Sequence, residues 1–173
     1  MTSPRWLDET EQCAWRSYLR MHSRLTAQLG RQLQADSGLS LADYEVLVML
    51  TDLPDGRLRP YELQRRLQWE QSRLSHHLGR MQRRGLVERQ ECPSDARGAF
   101  VVVTAAGREA IEAAAPGHVE AVRRYFLDHL TREQVQTLSH LANRVLGQLD
   151  AEAGCGDTLG DEPGEAPDEH HRP

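Results

Sequence analysis

"SRLSHHLGRMQRRGLVER", Ser72 to Arg89, sets two serines and two adjacent histidines among five arginines. At helical spacing, Leu74, Leu78 and Met81 fall within about 60° of one another and form an apolar stripe. The opposite side carries Ser72, Arg73, His76, Arg80 and Arg83, with Ser75, His77 and Arg84 on the flanks. Gly85 suits a left-handed helix end. After it the period changes: "LVERQ" and "AFVVVT" are short β-prone runs, joined by "ECPSDARG" with its Pro, Ser, Asp and Gly. An antiparallel hairpin with a long loop is expected directly after the helix.

A serine beside histidines raises a catalytic reading, which the spacing opposes. Ser75 and His76 are neighbours, and neighbours on a helix do not face each other. No GxSxG elbow is present. A zinc pair on a helix wants histidines four apart, not adjacent. Cys13, Cys92 and Cys155 are far apart with no CxxC pair, which argues against a structural zinc site. No metal, cofactor or enzymatic role is expected.

Working outward, "LSLADYEVLVMLTDLPDG" reads as a short helix with Ser40 as N-cap and Asp43 at the positive end of its dipole. "RPYELQRRLQ" reads as the next, with Pro60 in its first turn and Leu63 and Leu67 inward. "WEQ" separates it from the helix of the opening stretch. Upstream, residues 1–39 read as a lead-in and a long helix. Ala14, Tyr18, Met21, Leu25 and Leu29 form one stripe on it, and Trp15, Leu19 and His22 an adjacent one. A helix apolar on two sides needs two neighbours, in the core, in a partner subunit, or both. Downstream, Thr104 caps a helix that Pro116-Gly117 should kink, and "TREQ" is a capping box opening a last helix to about Leu149. The order is helix–turn–helix followed by a hairpin, flanked by helices. It defines a mainly α protein with six helices and a two-stranded β-wing, the winged helix-turn-helix pattern. The expected divisions are 1–39, 40–104 for the winged head, 105–149, and an acidic tail at 150–173, whose composition suits disorder.

The net charge of -5 conceals a segregation. Residues 57–108 hold 11 arginines against 5 acids, whereas residues 150–173 hold 8 acids and one arginine. Lysine is absent. A basic segment inside an acidic chain fits a polyanionic partner. Arginine is the residue suited to forked contacts with phosphate and guanine, and serine and histidine bind either. With no signal peptide and no apolar run of membrane-spanning length, a cytoplasmic protein with reduced thiols and no membrane partner is expected.

At this point the residues resemble the MarR family of bacterial transcription regulators. "SRLSHHLGRMQRRGLVER", the wing loop Asp95-Ala96-Arg97-Gly98 and "VTAAGREA" carry the resemblance, which spans roughly Cys13 to Leu149. It implies an intertwined homodimer whose first and last two helices form the dimer domain, and a palindromic double-stranded DNA operator. The recognition helix, about Gln71 to Arg84, would enter the major groove through Gln71, Ser72, Arg73, Ser75, His76, His77, Arg80, Arg83 and Arg84. Arg97 would reach the minor groove with Asp95 aligning it. Arg59 and Pro60 stand where the family often has a Thr or Ser cap, so Arg59 is assigned a phosphate contact. The resemblance further implies a repressor released by a small aromatic or anionic effector. Trp15, His22, Tyr44 and Trp69 are candidate pocket residues, each also readable as ordinary core. A redox alternative rests on Cys13, which lies near the reactive cysteine of the family's peroxide-sensing branch but is more readily read as buried and inert. A dimeric adaptor that binds no DNA is the third alternative.

Overall fold

The computed structural model describes residues 3–92 and 95–154, with side chains described for all of these except 92, 95–98, 153 and 154. Six α-helices and three short strands run in the order α1 (Glu9–Ser37), α2 (Leu41–Thr51), β1 (Arg57–Leu58), α3 (Pro60–Leu67), α4 (Gln71–Arg83), β2 (Val87–Cys92), β3 (Asp95–Val103), α5 (Ala105–Tyr125) and α6 (Arg132–Gly154). A single 3-10 turn, Leu127–His129, follows α5. The chain divides into two compact units after Asp128.

Helix boundaries follow the capping chemistry. Ser40 accepts from the Asp43 N–H at 3.1 Å while Asp43 accepts from the Ser40 N–H at 2.9 Å, a reciprocal box that fixes where α2 begins. Asp8 and Glu11 do the same for α1. The α3–α4 turn depends on Gln68, which sits at φ 53°, a left-handed conformation that a non-glycine residue adopts at some cost. Gly85, at φ 73°, ends α4 as the spacing predicts. At α6, Thr131 and Gln134 form the expected box.

One core joins the elements of the first unit. Val46, Leu47 and Leu50 of α2 are fully buried, and Leu63, Leu74, Leu78, Met81, Val101 and Ile111 pack with them. The C-terminal half of α1 lies against α5, with Leu33 buried. The N-terminal half of α1 has no buried residue: Trp15, Tyr18, Leu19 and Met21 are all exposed. Considered by itself, α6 likewise exposes Leu141, Val145, Leu146 and Leu149.

The structure differs from the sequence reading in three places, at the wing, its loop and the end of α6. The wing is three-stranded, in the order β1-β3-β2, because Arg57 and Leu58 pair with Val102 and Val101. A two-residue strand among the three residues between Gly56 and Pro60 has no period to read. The expected long loop is mostly strand: β2 and β3 continue past a bulge at Glu91–Cys92 until Cys92 pairs with Asp95. Helix α5 spans Ala105–Tyr125 with Pro116 inside it, the extent that the apolar period predicts. Helix α6 runs past Leu149 to Gly154, into the start of the expected acidic tail, and the rest of that tail lies outside the described residues.

The "VTAAG" segment has a local physical reason. The Thr104 hydroxyl donates to the Gly85 carbonyl at 2.6 Å and accepts from the Gly107 N–H at 2.9 Å, so one side chain closes α4 and opens α5. A Cβ at Gly107 would collide with the Leu86 carbonyl oxygen, a backbone atom that cannot step aside. Gly107→Ala should therefore destabilise the fold by about 1–3 kcal/mol, the usual range for overpacking. A thermal melt checks it, and an unchanged midpoint would contradict the close α5–wing contact.

Candidate nucleic-acid interface

Helix α4 turns three different surfaces outward, inward and sideways. Leu74, Leu78 and Met81 are buried as the wheel requires. Gln71, Ser72, Arg73, Ser75, His76, Arg80 and Arg83 are exposed. No side chain within the fold explains Ser72, Ser75, His76 and Arg83 as core, and they share one face. Gly79 lies on that same face, with only the Arg83 guanidinium near the space a Cβ would fill.

His77 does not belong to this surface. It is 5% exposed, because it lies about 40° from Met81 around the helix and is drawn into the core side. Its ring meets Trp69 edge to face at 5.3 Å between centroids. Its Nε2 lies 3.1 Å from Asp43 Oδ1, off the direction of a full hydrogen bond. Its Nδ1 is 2.8 Å from an Arg80 guanidinium nitrogen. The sequence reading of His77 as a DNA contact is corrected on this burial.

Arg84, by contrast, stays exposed but is also engaged within the head. Its guanidinium donates to Asp43 Oδ2 at 2.6 Å and to the Gly38 carbonyl at 2.9 Å, which ties the end of α4 to the α1–α2 junction. Asp43, at 2% exposure, is thus the meeting point of the α2 cap, helix α4 and the α1–α2 turn. Burial alone would push its carboxyl up, but His77, Arg84 and Ser40 together outweigh that and hold it well below the usual aspartate value. The sequence signalled Asp43 only as a helix-dipole residue. Its long-range partners lie 34 and 41 positions away, beyond any spacing rule.

The remaining arginines surround α4 and the wing. Arg73 lies over the Trp69 ring at 4.2 Å, a cation–π contact that holds the guanidinium beside the first turn of α4. Arg59 and Arg57 both lie over the Phe100 ring of β3, at 5.2 and 4.9 Å. The Arg59 N–H donates to Glu62 at 2.9 Å, so α3 starts without a Thr or Ser cap. Asp95 and Arg97 fall in β3 by backbone, and their side chains lie outside the described residues.

The four candidate pocket residues occupy three separate ring contacts. Trp69 is core, between Arg73 and His77. Tyr44 packs on His118 at 4.4 Å, a partner the sequence reading did not name. Burial raises the Tyr44 hydroxyl and lowers the His118 imidazole from their ordinary values, so both are held neutral there. Trp15 and His22 stack on either side of Tyr18 along the exposed half of α1. A cleft of about 440 Å³ lies elsewhere, between α3, α4 and the wing, lined in part by Arg59, Tyr61, Gln71, Ser75 and Arg89. Cys13 is exposed, where a buried thiol was the favoured reading. Among the described residues no group of three His, Cys, Asp or Glu side chains could hold a metal ion, and no helix is long and apolar enough to cross a membrane.

The MarR family model matches residues 37–98, the segment from the α1–α2 junction to the wing. The HTH-type transcriptional repressor YetL of Bacillus subtilis (strain 168) is 30% identical over 114 residues, covering 64% of this chain and 68% of YetL. The chain belongs to the MarR family. Two MarR family transcriptional regulators of Streptomyces coelicolor share its fold closely. Sco3205, solved in complex with DNA, is 43% identical with a TM-score of 0.81, covering 85% of this chain and 92% of that one. AbsC is 41% identical with the same TM-score, covering 86% and 99%. This MarR family chain is accordingly a transcription regulator, not an enzyme.

Asp43→Asn keeps the shape of the site and removes the charge that His77 and Arg84 face. It should cost about 1–3 kcal/mol at neutral pH. Because Asp43 is depressed in the folded state, its contribution is full above the ordinary aspartate value of 3.8 and is lost as pH falls through the folded value. The deficit of Asp43→Asn, read by denaturant unfolding, should therefore narrow below about pH 4. A deficit that stays constant into acid would show that the charge does not carry the effect.

Proposed function

We propose that this regulator binds double-stranded DNA as a homodimer on a two-fold-symmetric operator and represses transcription there. The observation that carries this reading is the outward face of α4, where Ser72, Ser75, His76 and Arg83 share one exposed side beside the basic wing. An α-helix fits a major groove, and these are the side-chain types that read base edges and phosphates there. The relative Sco3205 was solved with DNA, and YetL is described as a repressor, which supports the same assignment here.

In this reading Gln71, Ser72, Ser75, His76 and Arg83 face the groove, while Arg73, Arg80 and Arg59 address the phosphates that flank it. Arg97, with Asp95 aligning it, extends the contact to the adjacent minor groove, whose narrow form concentrates negative potential. The exposed aromatic and aliphatic residues of α1 and of α6 supply the dimer surface, since each helix presents more apolar area than an isolated chain covers. A small aromatic anion is the effector class that suits release: the cleft between α3, α4 and the wing offers Arg59, Arg89 and Tyr61 beside Ser75 of the reading face. An occupant there would compete with DNA for the same side chains.

Fluorescence anisotropy with duplexes taken from upstream of the protein's own gene tests the reading. Affinity should fall about tenfold or more between 50 and 200 mM salt, because released counterions drive association. Arg97→Ala should weaken binding without lowering the melting temperature, and an aromatic carboxylate in excess should displace the duplex. No binding at low salt would favour the adaptor reading. Release by peroxide that is lost in Cys13→Ser would favour the redox one.

A further inference from the structure

We infer that His77 is a positioning residue for Arg80, holding its guanidinium at the side of the recognition helix for a phosphate contact. The inference rests on the DNA-binding reading above and adds to it a residue that never touches DNA.

A guanidinium has only donors, so the 2.8 Å approach of Arg80 to His77 Nδ1 requires a lone pair on that nitrogen. The imidazole proton then sits on Nε2, toward the Asp43 carboxylate 3.1 Å away. The ring cannot swing away from this arrangement, because it is 5% exposed and fitted edge-on to Trp69. Asp43 is itself fixed by the α2 cap and by Arg84. A chain of contacts therefore runs from the start of α2, through a buried ring, to an exposed arginine.

An arginine has several rotatable bonds, and fixing them at the moment of binding costs affinity. Arg80 has that cost reduced in advance by a rigid acceptor three residues earlier on its own helix. Its place is on the flank of the reading face, between the outward His76 and the buried His77. A side chain on the flank of a helix in a major groove meets the phosphates along the groove wall rather than base edges. The device should raise affinity for every duplex alike and leave base preference unchanged.

The test is a double-mutant cycle on the full chain, read by anisotropy with an operator duplex and a scrambled one. His77→Phe keeps the ring and its fit against Trp69 and removes the acceptor. It should weaken binding to both duplexes by the same factor, about fivefold for a hydrogen bond of ordinary worth. In an Arg80→Ala background His77→Phe should have no further effect. His77→Asn, whose carbonyl oxygen stands roughly where Nδ1 stood, should recover part of the loss even if its melting temperature is the lower of the two. Equal losses in both backgrounds, or loss that follows the melting temperature rather than the acceptor, would overturn the inference while leaving DNA binding intact. A wild-type chain that binds neither duplex would overturn both.

Discussion

The Asp43 carboxylate is the constraint on which the arrangement of the head depends. It closes the first turn of α2, faces the His77 imidazole from α4, and receives the Arg84 guanidinium that also bonds to the α1–α2 turn. A buried carboxylate left unpaired is costly, so the helices that supply its partners cannot rotate independently. Leucines alone would fix which side of α4 faces the core but tolerate sliding among similar packings. The polar contacts specify one register, and with it which residues α4 turns outward.

Charge is divided by the same geometry. Of the four arginines from 73 to 84, Arg73 lies on Trp69, Arg80 on His77 and Arg84 on Asp43. A basic helix counted from the sequence as a uniform cationic surface is thus sorted into an outward residue, two oriented flanking residues and one structural clamp. At the wing, Arg57 of β1 and Arg59 of the α3 cap both lie over the Phe100 ring, which brings positive charge to the strand beside α4. Thr104 and Gly107 join α4, the wing and α5: the Thr104 hydroxyl bonds at both helix ends, and Gly107 lies against the Leu86 carbonyl.

Much of this was legible in the sequence. Caps are local, so Ser40, Thr104, Thr131 and Gly85 announced their helix ends, and the leucines of α4 announced its buried stripe. The family was readable because the wing and the "VTAAG" segment follow the recognition helix at short fixed distances. What was not legible has a common physical origin in pairing across distance. His77 and His76 are the same residue type one position apart, and only the presence of Asp43 and Trp69 beneath α4 separates core from surface. Arg84 lies on the flank by angle, and its guanidinium reaches a carboxylate 41 positions earlier. The β1 strand exists because Val101 and Val102 of a later strand offer it partners. The ring contacts of Tyr44 and His118 likewise join helices that are far apart in sequence.

The central claim is that the outward face of α4 enters a major groove twice, once from each protomer. Methylation interference tests it most directly. Dimethyl sulfate places a methyl group on guanine N7, at the floor of the major groove, before protein is added to duplexes from upstream of the gene. The account predicts that methylation blocks binding in two patches about one or two helical turns apart, related by the two-fold of the site. Binding that is indifferent to every guanine N7, or blocked at a single patch only, would contradict it.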